Sequence, residues 1–435
     1  MHLKELENKR CYTLLWWFAI LAGFAVIHAT NERIFFIIEH YSVIPHNLAA
    51  FMLSRKQAVV QHIFTPVKAV VFLLSMIILI PPLLPDFQKS IKANRGISQW
   101  FFEKQTLLVF ILLALLVIPA SVRSMGTDYA DMSIAPFEAG DGWFYKRLLM
   151  PALANMLFLQ GRGFYLLFSL FFTLVLIQLT RIWLTANKVS LTFIQFLSLG
   201  TSSFIIFQFQ VPGYPDALMH ILLLLAFTFP LKNSSKVTVL ALAILAHESS
   251  MFLSVILAIF ILGRRSLMKF YVLCAVYCIF WVGSYGFAPD AAVGSHQVDG
   301  LSALQWMQHN PMREVIGILG SYKALWFFVI IGLVLLWQKK EYKPLLLSVL
   351  LLLSSFGMTF LAVDTSRIMG WSFIALLLTV KAVHQANEKV WIKKSLNIVY
   401  VANLLIPSVY IAVNIHPIWF TGLYRGYRVL FDLIL

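Results

Sequence analysis

The chain has 435 residues, of which 60% are hydrophobic and 12% charged, with a formal net charge of +15. Soluble globular domains carry roughly 25% charged residues, and a mean hydropathy of +0.82 places this chain among membrane proteins. Three cysteines exclude a disulfide framework, and the basic excess sits in short loops, where it reads as a topology signal and not as a nucleic-acid surface.

In chain order, apolar runs predict membrane segments over 12–29, 65–85, 105–121, 148–160, 163–180, 189–208, 215–230, 236–246, 249–262, 269–287, 322–337, 344–362, 367–383 and 395–413. Helices satisfy their own backbone hydrogen bonds in lipid, and the alternating segments of a β-barrel are missing. The expected fold is an all-α polytopic integral membrane helical bundle of about 11–13 segments, some short and re-entrant. Segment 148–160 is expected to return to the side it left, and 236–246 with 249–262 to form one re-entrant pair.

The charged stretch Met1–Arg10 and the apolar run Cys11–Ala29 read as an uncleaved signal anchor. Segment 30–63 and the tail from Pro417 to Leu435 read as interfacial. With the N-terminus cytoplasmic, the cytoplasmic pieces hold 21 Lys and Arg against six acids, and the difference equals the whole net charge. That agrees with the positive-inside rule, and it puts the polar residues discussed next at the outer face.

Four stretches carry chemistry. Loop 122–147 holds four carboxylates, with Gly140 and Gly142 flanking Asp141, followed by Tyr145, Lys146 and Arg147. Asp141, and second to it Asp131, is placed to accept a proton from a hydroxyl. Lys146 and Arg147 are placed to hold an anion such as a lipid phosphate, or to anchor the loop at the interface. In Pro212-Gly-Tyr-Pro-Asp216, the helix breaks and restarts; Asp216 is either a helix N-cap or a site residue, and His220 lies one turn on, where the two can pair.

His247 and Glu248 interrupt the apolar run 236–262. Ionisable groups inside an apolar run are functional candidates by default; the alternative is a polar turn with Ser249 and Ser250 capping the second half-helix. HExxH zinc chemistry is not supported, because position 251 is Met. Asp364 and Arg367 stand three apart at the outer end of a segment. They either pair with each other or leave Arg367 to bind a phosphate in bidentate fashion. His28, His40, His46 and His62 are irregularly spaced and read as interfacial, and Cys274 and Cys278 read as helix packing.

An acid in the first outer loop, a short helix after it, a re-entrant acid and a late arginine together resemble the GT-C superfamily of membrane glycosyltransferases. The residues that carry the resemblance are Asp141, the Tyr145–Pro151 stretch, His247-Glu248, and Asp364 with Arg367. It covers roughly residues 105–435, leaving 1–104 as an N-terminal two-helix addition. The paired-acid form of the family is absent, as is a large soluble C-terminal domain.

The resemblance implies transfer of a sugar from a polyprenyl-phosphate donor to a glycan, lipid or protein hydroxyl, at the outer side of a bacterial cytoplasmic membrane. Asp141 or Asp131 would be the base, and Tyr145, Lys146, Arg147, Asp216, His220, His247, Glu248, Asp364 and Arg367 would bind substrate. Membrane lipids are expected partners; no nucleic acid or cofactor is expected, no residues are assigned to a metal, and a divalent metal requirement is left open. The alternatives are a polysaccharide polymerase or ligase using lipid-linked glycans, and a transporter or flippase for an anionic lipid or solute.

Overall fold

A computed structural model describes residues 46–54, 104–118, 124–137, 147–285, 305, 308–360, 364–386, 390–411 and 415–417. The described chain is mostly helical. Helices α1 (His46–Ser54), α2 (Lys104–Val117), α3 (Ser124–Met132) and α4 (Leu149–Met156) come first. They are followed by α5 (Arg162–Ala186), α6 (Phe193–Gly200), α7 (Ser203–Gln210), α8 (Asp216–Thr228), α9 (Asn233–Ala246) and α10 (Ser250–Ile261). The remainder are α11 (Arg264–Tyr285), α12 (Pro311–Tyr322), α13 (Trp326–Gln338), α14 (Tyr342–Thr359), α15 (Thr365–Gly370), α16 (Phe373–Gln385) and α17 (Val390–Leu405).

Three stretches are long and apolar enough to cross a membrane: Arg162–Ala186, Pro311–Gln338 and Tyr342–Thr359. Their outward faces stay apolar. Leu167 and Phe171 on α5, Ile330, Val334 and Trp337 on α13, and Leu346 and Leu353 on α14 are all exposed. Such stripes suit a lipid surround far better than water. Helices α7, α8 and α16 are instead mostly apolar and buried on nearly every side, as befits the centre of a bundle.

Four expectations are corrected. The segment 189–208 is two helices, because the Thr201 and Ser202 hydroxyls turn back onto the carbonyls of Ser198 and Leu199. The segment 367–383 is likewise split, at Trp371-Ser372, where the Ser372 hydroxyl donates to the Met369 carbonyl. Helix α12 occupies 311–322, between two expected segments; Pro311 at its first turn starts it.

The last expected segment, 395–413, ends as helix at Leu405, two residues before Pro407. Two short strands follow, β1 (Val409–Ile411) and β2 (Ile415–Pro417). They pair antiparallel with Tyr410 opposite His416, a small departure from an all-α chain. The expected segments 12–29 and 65–85 and the tail beyond Pro417 lie outside the described residues. So do His28, His40 and His62.

Two close approaches fix the region around loop 122–147. A Cβ on Gly126 would lie 1.8 Å from the Pro212 carbonyl oxygen, so α3 rests directly on the turn between α7 and α8. Gly213 in that turn has φ +102°, a conformation that side chains resist. Its amide donates to the Ser169 hydroxyl of α5 at 3.0 Å.

Candidate functional site

The turns at the ends of α8, α9 and α15 bring together charged residues that lie far apart in sequence. Arg147, just before α4, donates from Nε and Nη2 to both oxygens of Glu248, at 2.9 Å each. Its Nη1 donates to the Tyr129 hydroxyl at 2.6 Å. Glu248 is available because α9 stops at His247, whose extended backbone turns the chain before α10 begins.

A second group forms around Arg367 on α15. Its Nη2 donates to Asp364 at 2.6 Å and its Nη1 reaches Asp216 at 3.4 Å. Asp216 also accepts from the Trp371 indole at 2.8 Å, and Asp364 from the Tyr410 hydroxyl at 2.9 Å. The two groups meet at aromatic rings. Tyr214 lies 4.8 Å from the Arg367 guanidinium and 5.9 Å from that of Arg147, close enough for both cations to gain from its face. Trp371 carries the Arg367 guanidinium at 5.4 Å and the His247 ring at 4.9 Å.

Helix α15 is only six residues long, so its position comes from its neighbours. Gly317 of α12 packs so tightly that a Cβ there would lie 2.8 Å from Thr365. The Ser366 hydroxyl accepts from the Ile411 amide of β1 at 3.0 Å, and the Ser366 carbonyl accepts from Ser203 of α7. The strand that replaces the expected helix end is thus what carries Tyr410 to Asp364.

Two nitrogens in this cluster, Arg367 Nε and His247 Nε2, are buried without a hydrogen-bond partner. The His247 Nδ1 accepts from the Ser249 amide at 3.3 Å and also lies 3.5 Å from Glu248 Oε2. In the tautomer that serves the first contact, the ring proton is on Nε2. Leaving a buried donor unpaired costs roughly 1–3 kcal/mol, and such a cost is commonly met where a ligand supplies the acceptor.

Of the residues singled out from sequence, Arg147, Asp216, His247, Glu248, Asp364 and Arg367 are brought together. Asp141, Tyr145 and Lys146 lie outside the described residues. Asp131 is not brought to the cluster. It is exposed on α3 and pairs with Arg162 at 2.8 and 3.0 Å, which holds its carboxyl below the usual aspartate range.

Three further readings change. Asp216 is not a side-chain cap: Pro215 holds the N-cap position, and the carboxylate turns to Arg367 and Trp371 instead. Its expected pairing with His220 is lost for the same reason; both His220 nitrogens lack hydrogen-bond partners, and the ring sits between Phe204 and Phe373. Ser249 and Ser250 make no side-chain cap on α10. Arg367 pairs with Asp364 and Asp216 together, so the choice between partner and phosphate is not exclusive: Nε remains.

Sequence reasoning missed Tyr129, Tyr214, Trp371 and Tyr410. Trp371 follows Arg367 by one helical turn, and Tyr214 sits in the Pro-Gly-Tyr-Pro break, so both carried a local signal. Tyr410 carried none, because only the β1 turn makes it a neighbour. Among the described residues no three His, Cys, Asp or Glu converge as a metal-ligand set, and Cys274 and Cys278 are free thiols. No protein-family model, curated protein or solved structure matches the chain.

Proposed function

We propose that this chain is a polytopic membrane glycosyltransferase of GT-C-like architecture. It moves a sugar from a polyprenyl-phosphate donor to a hydroxyl acceptor at the outer face of a bacterial cytoplasmic membrane. The observation that carries the reading is the buried, unpartnered Arg367 Nε–H, with the unpartnered His247 Nε2 in the same charged cluster. A phosphate is rich in acceptors and matches guanidinium N–H geometry.

The chemistry suits those groups. As the bond from the anomeric carbon to the phosphate oxygen breaks, negative charge grows on the departing phosphate. It needs N–H donors and no proton. Fixed donors aimed at developing charge contribute most of such catalysis. The two guanidiniums already face three carboxylates, Asp216, Asp364 and Glu248, one more than their own charge. The cluster therefore greets the donor lipid through its spare N–H groups and not through a surplus of positive charge. The apolar outer faces of α5, α13 and α14 supply the lipid contact that a prenyl chain requires.

The test is transfer by the purified full chain in liposomes, offered a panel of polyprenyl-phosphate-linked hexoses and pentoses. Wild type should transfer from at least one. Arg367→Gln, and Arg367→Lys as a variant that keeps a cation beside Asp216 and Asp364, should each lose about 100-fold or more per folded molecule. Donor bound without transfer would point to carriage of the lipid across the membrane, and no binding at all would end the proposal.

A further inference from the structure

Four carboxyl groups are buried or nearly so among the described residues of this region: Asp216, Glu248, Asp364 and Glu314. Arginine holds the first three. Glu314, on the first turn of α12, differs. It is 5% exposed, and no cation pairs with it among the described residues. One oxygen accepts from the Thr365 hydroxyl, and the other, Oε1, is buried without a hydrogen-bond partner. Glu314 was not among the residues that stood out in the sequence, since it lies in a polar stretch.

Its placement is built and not incidental. Glu314 and Gly317 share a face of α12, one turn apart, and the Gly317 contact presses that face onto Thr365. Thr365 is the residue after Asp364, so Glu314 abuts the segment that carries Arg367. An ionised carboxylate gains little by taking a proton while a guanidinium clamps it. A buried carboxyl without a cation has the opposite character and suits general acid–base work.

We propose that Glu314 is the proton-exchanging carboxyl of this site. Through Oε1 it takes the proton of the acceptor hydroxyl. This rests on the transferase reading for its substrate. In the step, Glu314 starts as the carboxylate, the acceptor O–H bond breaks and its proton passes to Oε1, leaving Glu314 as the neutral acid that its buried surroundings favour. The acceptor oxygen forms a bond to the anomeric carbon, and the electron pair of the carbon–phosphate oxygen bond leaves with the phosphate. Attack from the face opposite the phosphate inverts that carbon. Thr365, through its hydroxyl, positions the other carboxyl oxygen. The role falls to Glu314 in place of Asp131, which is exposed and paired with Arg162.

Two measurements separate this proposal from the transferase reading. A hydrophobic carbodiimide reacts with carboxyls that exchange protons in apolar surroundings. Applied to the full chain in membranes and mapped by peptide mass spectrometry, it should label Glu314 and spare Asp216, Glu248 and Asp364. Labelling should vanish in Glu314→Gln and persist in Glu314→Asp. No label on Glu314, or equal label on all four, overturns the proposal whatever the substrate.

In the liposome transfer assay, Glu314→Gln should lose at least 100-fold in rate while retaining donor binding. Glu314→Asp should recover part of the rate with a displaced pH profile. Full activity in Glu314→Gln, or loss confined to Asp141→Asn, overturns the role. Absence of transfer by wild type, with Glu314 still labelled, overturns the transferase reading alone.

Discussion

Arg147 grips both carboxylate oxygens of Glu248, at 2.9 Å each, across 101 residues of chain. The pair ties the segment before α4 to the break between α9 and α10. Removing one member of a buried pair typically costs about 3–5 kcal/mol, because the survivor is left charged and alone. Arg147→Met and Glu248→Leu should each lower the thermal unfolding temperature in detergent. The double variant should recover most of the loss. Additive losses would mean that the pair is not a unit.

Trp371 joins the two halves of the cluster, donating to Asp216 while its ring faces His247 and Arg367. Trp371→Phe keeps an aromatic ring and deletes the donor. A hydrogen bond to a charged group contributes roughly 1.5–3 kcal/mol, and a loss of that size is expected in chemical denaturation. Trp371→Leu should cost more, since the ring contacts go as well.

The His247 tautomer makes a sharper prediction. Gln extends a donor to about the place of Nε2, whereas Asn reaches only that of Nδ1. If Nε2–H serves the phosphate, His247→Gln should keep a measurable part of the transfer rate and His247→Asn should not. Equal loss in both would remove Nε2 from the account.

Gly126 has no room for a side chain: its Cβ would meet backbone at 1.8 Å. Gly126→Ala should therefore cost about 4 kcal/mol or more, or prevent folding. Gly357, inside α14, has nothing within 4 Å of its Cβ. Gly357→Ala should stabilise by about 0.5–1 kcal/mol from helix propensity alone. Thermal unfolding of the two variants side by side checks both.

Asp131 supplies the pH test. Its hydrogen bonds to Arg162 lower its folded pKa, so the stability it contributes is present above the ordinary aspartate pKa of about 4 and fades as pH falls below it. Both side chains are largely exposed, at 48% and 68%, so the effect is small. Asp131→Asn should melt slightly lower than wild type at pH 7, with the gap narrowing as pH falls below about 4, and transfer sugar at the full rate. A lost rate would return Asp131 to the mechanism.

Charged residues in apolar runs are conspicuous in a sequence, which is why Arg147, Asp216, His247, Glu248, Asp364 and Arg367 stood out before any geometry was known. The pairing of Asp364 with Arg367 was legible at three residues' spacing; the pairs of Arg147 with Glu248 and Arg367 with Asp216 were not, because they join residues 101 and 151 positions apart. Local spacing favoured Asp216 with His220; the actual partner, Arg367, comes from another helix. Helix breaks at Pro212-Gly213 and His247 were readable from residue type. Those at Thr201-Ser202 and Trp371-Ser372 were not, since hydroxyl-to-carbonyl bonds made them within continuous apolar stretches. Tyr410 and Glu314 owe their places to a strand turn and to a glycine contact.

On the proposed function, a lipid phosphate is held at Arg367 Nε, in the cluster that also contains His247. The most direct measurement is photo-crosslinking of the full chain in liposomes with a polyprenyl phosphate bearing a diazirine beside the phosphate. The account predicts adducts on peptides carrying Trp371 and His247, competed by unlabelled polyprenyl phosphate and lost in Arg367→Gln. Adducts confined to other helices, or unchanged in Arg367→Gln, would contradict it.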